Sequence, residues 1–378
     1  MRLLVTFVGG LGHLAPLFPL ACAARDAGHE VAIAGSGGLV RKIEEAGFTA
    51  FATSPSPHHD QTPASQGRRP LVVMDAHASE LEFAQNFAGR NARRMADTVP
   101  DIIRTFRPDL VLRDETDLGT TVAAELLHVP VASHLVLASG LLIQPGLVAP
   151  RLDALRAEHG LAPDPELTRL NSGLVLSDAA PCFRSLDAPL SVVPTHYKSV
   201  VTFRPSSRRT RPGIYVTLGT IFNNTSGDLF ERLLAGLADL DADVVATVGR
   251  GIDPADLGHQ PANVRVERFL PQDEVLPLVD LVVSHGGSGS LMASLANGLP
   301  SVLLPLGADQ PHNATRAEEL GVAFSLDAAT VTPEDVRTCA HAVLADGVMR
   351  ERCIAVADEL EALPDSSAAV AALVAAAA

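Results

Sequence analysis

Short, unbroken apolar runs alternate with amphipathic stretches along the whole chain of 378 residues. Residues 3–8 (LLVTFV) contain no polar position except Thr6, which predicts a strand buried on both faces rather than one with a wet side. A glycine-rich turn follows, then a helix over about 15–28. Runs at 31–34 and 48–53 predict two further strands, with a short helical stretch at 38–46 between them. A polar loop over 54–70 leads into a long helical stretch from about 76 to 106. Apolar strands joined by helices predict parallel sheets covered on both faces.

One unit occurs twice. Residues 109–136 read as strand, polar loop, helix, Pro130 and strand, and residues 280–306 repeat the order with Pro300 in the equivalent place. Two such units about 170 residues apart predict two similar domains instead of one long sheet. The expected fold class is therefore α/β, with two Rossmann-like, doubly wound parallel-sheet domains facing a central cleft. Pro, Ser and Arg cluster just before the fresh strand 214–218. The boundaries drawn from this are a first domain at 1–203, a linker at 204–213, a second domain at 214–360, and a terminal helix at 361–378 free to pack back on the first domain.

Composition narrows the partners. Hydrophobic residues (47%) far outnumber charged ones (19%), which excludes a disordered chain. The net charge of −15 repels nucleic acids and anionic lipid surfaces, so an anionic ligand has to be held by a local device. The apolar segment 3–24 imitates a secretion signal, but Arg2 is its only basic residue, and glycines and prolines interrupt it. No other stretch has 18 uninterrupted apolar residues, so no membrane span is expected. Cys22, Cys182, Cys339 and Cys353 lack any metal-binding spacing and read as thiols of a reducing cytoplasm. Oligomeric state is not encoded legibly, and a homodimer is compatible with the sequence.

The strongest chemical signal is the turn His285-Gly286-Gly287-Ser288-Gly289-Ser290 between a strand and a helix at about 288–298. Glycines let several N–H groups converge on one anion, and the helix adds its positive end at the same point. His285 contributes a ring donor, and Ser288 and Ser290 contribute hydroxyls; the set suits a diphosphate. The alternative is a merely flexible Gly/Ser loop. The turn Gly9-Gly10-Leu11-Gly12-His13 has the same location in the first domain. Gly10, Gly12 and Ala15 also fit a dinucleotide fingerprint, but 34–38 (AGSGG) supplies no acid for a ribose, so a nicotinamide cofactor is not expected.

His13 points to the cleft as either a general base or a structural histidine. Asp114, at the end of the strand 109–113, would orient it, with Glu115 and Asp117 as competitors; the bland role for one of the three is to cap the next helix. Asp309 and Gln310 together can bracket sugar hydroxyls, since one accepts and the other also donates; Asp309 could equally cap its own helix. Metal signals are poor. His58-His59-Asp60 lies in a Pro-rich loop, and Asp239-x-Asp241-x-Asp243 precedes a strand instead of following one, so no metal and no cofactor are expected.

In order and spacing, GGLGHLAPL, PDLVLRD, VTLGTIFN (216–223), FLPQDEVLP (269–277), HGGSGS and PLGADQPHNA (305–314) resemble the inverting family 1 glycosyltransferases of the GT-B fold, close to the actinobacterial enzymes that decorate antibiotic aglycones. The resemblance covers nearly the whole chain. It implies His13 as catalytic base with Asp114 as partner. Phe269, Leu270, Pro271 and Gln272 would line the nucleobase, and Gly219, Thr220, His285, Gly286, Gly287, Gly289 and Ser290 the diphosphate. Asp309 and Gln310 would hold the donor sugar. Two departures stand out: Ala293 replaces a glutamate usual in users of uridine donors, which favours a thymidine diphosphate (dTDP) sugar over a uridine diphosphate (UDP) sugar, and Phe269 replaces a frequent tryptophan. Residues 54–106 and 135–150 are apolar and imply an acceptor pocket for a bulky hydrophobic aglycone. Rival readings are a nucleotide-sugar epimerase, a lipid-linked cell-wall transferase and a non-catalytic nucleotide-sugar-binding protein.

Overall fold

The computed structural model describes residues 1–56, 69–199, 211–220 and 222–378. The linker residues 204–210 and the histidines His58 and His59 with Asp60 lie outside these described residues. The first sheet holds β1 (Arg2–Thr6), β2 (Glu30–Gly35), β3 (Thr49–Ala52), β4 (Leu110–Asp114), β5 (Val131–His134), β6 (Val175–Ser177) and β7 (Thr195–His196). The second holds β8 (Gly213–Thr217), β9 (Asp243–Thr247), β10 (Val264–Glu267), β11 (Leu281–Ser284), β12 (Ser301–Leu303) and β13 (Ala323–Ser325). Both are parallel, in the orders β3-β2-β1-β4-β5-β6-β7 and β10-β9-β8-β11-β12-β13.

Each order reverses once, between β1 and β4 and between β8 and β11. Connections leave such a point toward opposite faces of the sheet, and a crevice opens at the carboxyl ends of the strands. The loops after β1 and β4 carry His13 and Asp114; those after β8 and β11 carry Gly219 and His285.

The double burial of β1 follows from its side-chain alternation. Leu3 and Val5 pack with the helices Leu11–Asp26 and Ser366–Ala376, while Leu4 faces the helix Ala92–Phe106 on the other side. The first helix starts earlier than the expected residue 15. Among the glycines ahead of it only Gly9 takes a left-handed conformation (φ +88°); Gly10 is extended and acts as the cap, leaving Gly12 and His13 inside the first helical turn. The stretch 76–106 is helical throughout, but Ala84–Asn91 is wound wider, as a π-helix.

Several contacts lock the two halves together. Ala138, Ala180 and Phe183 join the second domain's core, and Arg316 donates to the carbonyls of Cys182 (2.8 Å) and Phe183 (3.3 Å). Residues 69–74 run along the second domain: Val72 N–H donates to Thr225 O (3.2 Å) and Met74 N–H to Leu306 O (2.9 Å). This corrects the expectation that all of 54–106 lines an acceptor pocket, because backbone pairing ties the segment before the helix Ala76–Phe83 to the opposite domain. Asp241 and Asp243 are ion-paired with Arg211 (2.8 and 3.2 Å). At the far end Lys198 N–H donates to Pro364 O (2.7 Å), and the helix Ser366–Ala376 buries Ala369, Val370 and Leu373 in the first domain.

Leu373 is fully buried there (0% exposed), so Leu373→Ala should lower the unfolding free energy by about 2–5 kcal/mol, as for other emptied core leucine sites. Chemical denaturation followed by circular dichroism checks this. A loss below about 0.5 kcal/mol, the size of an ordinary surface substitution, would contradict the docking of the terminal helix.

Candidate active site

In the first domain a chain of hydrogen bonds begins at His13. Its Nδ1 lies 3.0 Å from Thr116 Oγ1, and Thr116 Oγ1 lies 2.5 Å from Asp114 Oδ1. A carboxylate only accepts, so the threonine proton goes to Asp114 and its oxygen accepts the Nδ1 proton of His13. That fixes the tautomer: Nε2 carries the free lone pair. The direct His13–Asp114 separation is 3.8 Å, so the expected dyad is bridged by a hydroxyl instead of touching. Thr116 is the residue that sequence reasoning missed; its signal lay in the run Asp114-Glu-Thr-Asp117, where only the acids were weighed.

Asp114 is fully buried and also accepts from the N–H groups of Val8 (2.9 Å) and Thr116 (2.5 Å). Burial alone would raise its acidity constant, but His13, the Thr116 hydroxyl and the Val8 amide outweigh it and hold the carboxyl below its ordinary value. For His13, burial pulls downward, and the bond and charge of Asp114, with a smaller push from Asp309, leave the imidazole above its ordinary value. The two competing acids face elsewhere. Glu115 accepts from Val136 and Leu137 N–H (3.1 and 3.0 Å) and pairs with Arg184 (2.9 Å). Asp117 accepts from the hydroxyls of Thr6 and Thr120 and caps the helix Gly119–Leu126 through Thr120 N–H (3.2 Å); burial and the Asp114 charge push it up to about 6.

In the second domain, His285 is held by close approach. A side chain at Gly219 (φ +74°) or at Gly287 would come within 2.6 or 2.7 Å of its Nε2. The ring is 8% exposed, and burial lowers its acidity constant to about 4 against the opposing charge of Asp309, so it is neutral near pH 7. Its Nδ1 has no hydrogen-bond partner among the described residues. Beside it the helix Ser288–Ala296 starts behind an extended Gly287 cap, with Leu291 N–H to Gly287 O (3.0 Å) as the first helical bond. The amides of Gly289 and Ser290 therefore have no helical acceptor. Ser290 Oγ accepts from Gln272 Nε2 (3.2 Å), which leaves its own proton for a ligand.

Asp309 departs from both readings made of it. It makes no side-chain bond to its own helix, Gln310–Glu319; its Oδ2 takes Ser288 N–H (3.1 Å), Ser288 Oγ–H (2.5 Å) and Asn313 Nδ2 (2.8 Å). A carboxylate thus caps the neighbouring helix, and Oδ1 stays free of printed contacts with the protein. Ser288 is consumed by this arrangement, because its oxygen also accepts from Ala138 N–H (2.8 Å) and Asn313 Nδ2 (3.1 Å). It has no proton left for a phosphate. Gln310 is also corrected: it is 2% exposed and its Oε1 accepts from Leu306 N–H (2.8 Å), bracing the turn instead of facing a sugar. Phe269 is 62% exposed, a bare ring at the rim; Leu270 and Gln272 are half-buried behind it and Thr220 is exposed.

The two halves meet here. The charge of Asp309 acts on His13, His285 and His312 alike. Phe87 lies against His13 (ring centroids 5.6 Å apart) and stacks on Phe83 (4.8 Å), which gives the space beside the imidazole an apolar wall. Among the described residues no group of three or more His, Cys, Asp or Glu could hold a metal ion, and no helix is long and apolar enough to cross a membrane.

Residues 22–200 and 231–376 match the family described as erythromycin biosynthesis protein CIII-like, in its N-terminal and C-terminal domains respectively. Tylactone mycaminosyltransferase of Streptomyces fradiae is 31% identical over 89% of this chain and 85% of its own. The solved glycosyltransferase SnogD from Streptomyces nogalater is 29% identical, with a TM-score of 0.76 over 100% of this chain and 99% of that one. Spinosyn rhamnosyltransferase SpnG, complexed with thymidine diphosphate, is 25% identical with a TM-score of 0.78, covering 98% and 99%. The chain belongs to this family and is a family 1 natural-product glycosyltransferase of the GT-B fold.

Proposed function

We propose that the enzyme transfers a sugar, with inversion and without a metal, from a nucleoside diphosphate donor to a hydroxyl of a bulky hydrophobic aglycone of the antibiotic type. The observation that carries this reading is the bond chain His13–Thr116–Asp114, which frees Nε2 of His13 at the edge of the cleft whose other wall holds His285 and Asp309. Nε2 accepts the proton of the acceptor hydroxyl while that oxygen attacks the anomeric carbon, and Asp114 offsets the positive charge gained by the imidazole. The diphosphate leaves from the opposite face toward the amides of Gly289 and Ser290, the Ser290 hydroxyl and the ring N–H of His285. The positive helix end stabilises the charge as it develops. Phe83, Phe87, Leu137 and Leu142 supply apolar surface for an aglycone. A cytoplasmic setting fits the four free cysteines.

Thymidine is preferred to uridine in this reading because position 293 carries no carboxylate for a ribose hydroxyl. Ala293 packs instead against the apolar group of Tyr215, Val275 and Val282. The spinosyn relative solved with thymidine diphosphate supports the same choice.

Three outcomes check this account. His13→Ala should lower turnover by ~10²–10⁴ while calorimetric affinity for thymidine diphosphate stays near that of the parent; undiminished turnover would remove the base. Because the base works only deprotonated and its acidity constant is raised, the ascending limb of the pH–rate profile should lie above the ordinary value of about 6.5. Thr116→Val deprives the imidazolium of its acceptor, so that limb should move to lower pH and turnover should fall by about tenfold, the loss of one charge-assisted bond. Thr116→Ser should restore both, and an unmoved profile in the valine variant would break the bridge. Ala293→Glu should raise the use of uridine donors relative to thymidine donors in direct competition, and an unchanged ratio would count against the ribose argument.

A further inference from the structure

Outside the residues discussed so far, one carboxylate in the cleft has no hydrogen bond. Glu80, on the helix Ala76–Phe83 of the first domain, is 15% exposed at its side chain, yet accepts no hydrogen bond among the described residues. Its neighbours are two imidazoles: His312 Nε2 at 3.2 Å from Oε1 and His77 Nδ1 at 3.4 Å from Oε2. The first approach is within ion-pair range but misdirected for a hydrogen bond, so His312 Nε2 is itself without a partner. The adjacent Ser79 is 1% exposed and its hydroxyl is likewise unpartnered. A desolvated carboxylate without donors is costly unless something supplies them.

The placement of Glu80 is rigid. Met74 N–H donates to Leu306 O (2.9 Å), the methionine side chain closes on Gly307, and Asp75 caps the helix that carries Glu80 by accepting from Ala78 N–H (2.7 Å). The same turn, 306–309, presents Asp309. His312 stands three residues after Asp309, on one face of the first turn of that helix, and feels the charges of both Glu80 and Asp309. Two carboxylates, one from each domain, therefore flank one imidazole beside the expected sugar position. No Arg or Lys pairs with either among the described residues. Burial keeps the imidazole of His312 below its ordinary acidity constant, so it does not balance them.

We propose that Glu80 reads the donor sugar together with Asp309, and that this sugar is a deoxyhexose bearing a protonated amine. An ammonium gives the bare carboxylate its missing donors and cancels a charge that a hydroxyl leaves in place. The inference rests on the nucleotide-sugar reading above and adds the class of the sugar.

The test uses the full chain and calorimetric competition with four probes: thymidine diphosphate, a thymidine diphosphate deoxyhexose with a primary amine at its third or fourth sugar carbon, the hydroxyl counterpart, and the N-acetylated amine. The parent enzyme should bind at least one amine regioisomer about tenfold more tightly than the hydroxyl or acetylated form. Glu80→Gln should bring that ratio within about twofold while thymidine diphosphate binding stays within about twofold of the parent, and Glu80→Asp should keep a preference. Equal binding of the amine, hydroxyl and acetyl forms by the parent enzyme overturns the inference whatever the variants do. A Glu80→Gln loss shared equally by the bare nucleotide and every sugar also overturns it, since Glu80 would then merely latch the domains. Failure of thymidine diphosphate itself to bind overturns the donor reading, and this inference with it; bound nucleotide without an amine preference overturns this inference alone.

Discussion

Asp309 Oδ2 is the point at which the two halves of the molecule are tied to the chemistry. It caps a helix that is not its own, takes the proton of Ser288, and so turns the Ser288 oxygen outward to receive Ala138 N–H from the first domain. Asn313 closes the knot with bonds to Asp309, to Ser288 and to the Gly286 carbonyl, while its oxygen accepts Ser139 N–H. Every polar group in this junction is matched, so the relative position of His13 and the helix end Ser288–Ala296 is set by directional bonds and not by apolar contact alone. A base and a leaving-group cradle on separate domains need such a fixed distance, because a misplacement of about an ångström costs orders of magnitude in rate.

The charges follow from that geometry. The chain carries −15 overall, and three of the four acids nearest the centre are deeply buried. Asp114 is held ionised by donors, Asp117 is pushed toward neutrality, and Glu115 is balanced by Arg184. Thus one carboxylate, not three, faces the imidazole of His13. His285 is kept neutral by burial and so offers a ring N–H as a dipole. The anion-binding capacity of the second domain therefore comes from backbone amides and dipoles, as the acidic surface requires.

Much of this was readable before any coordinates. The unbroken run Leu3–Val8 and the doubled unit at 109–136 and 280–306 carried the two parallel sheets, because continuous apolar strands and repeated strand–loop–helix order are local signals. The glycine turns were legible for the same reason. What sequence could not supply was side-chain direction across the chain. Gln310 was read as a sugar ligand but turns inward to Leu306; Ser288 was read as a phosphate donor but spends its proton on Asp309; Thr116 was passed over although it joins His13 to Asp114. The strap 69–74 belongs to the same group of misses: backbone pairing to a strand-like segment of another domain leaves no periodic trace.

The central claim is that His13 and the helix end at Ser288–Ala296 act on opposite faces of one anomeric carbon. The anomeric configuration of the product, read from its proton coupling constant by NMR and compared with that of the donor, tests it most directly. Clean inversion is the expected result. Retention of configuration would contradict in-line attack across the cleft and, with it, the assignment of the two walls.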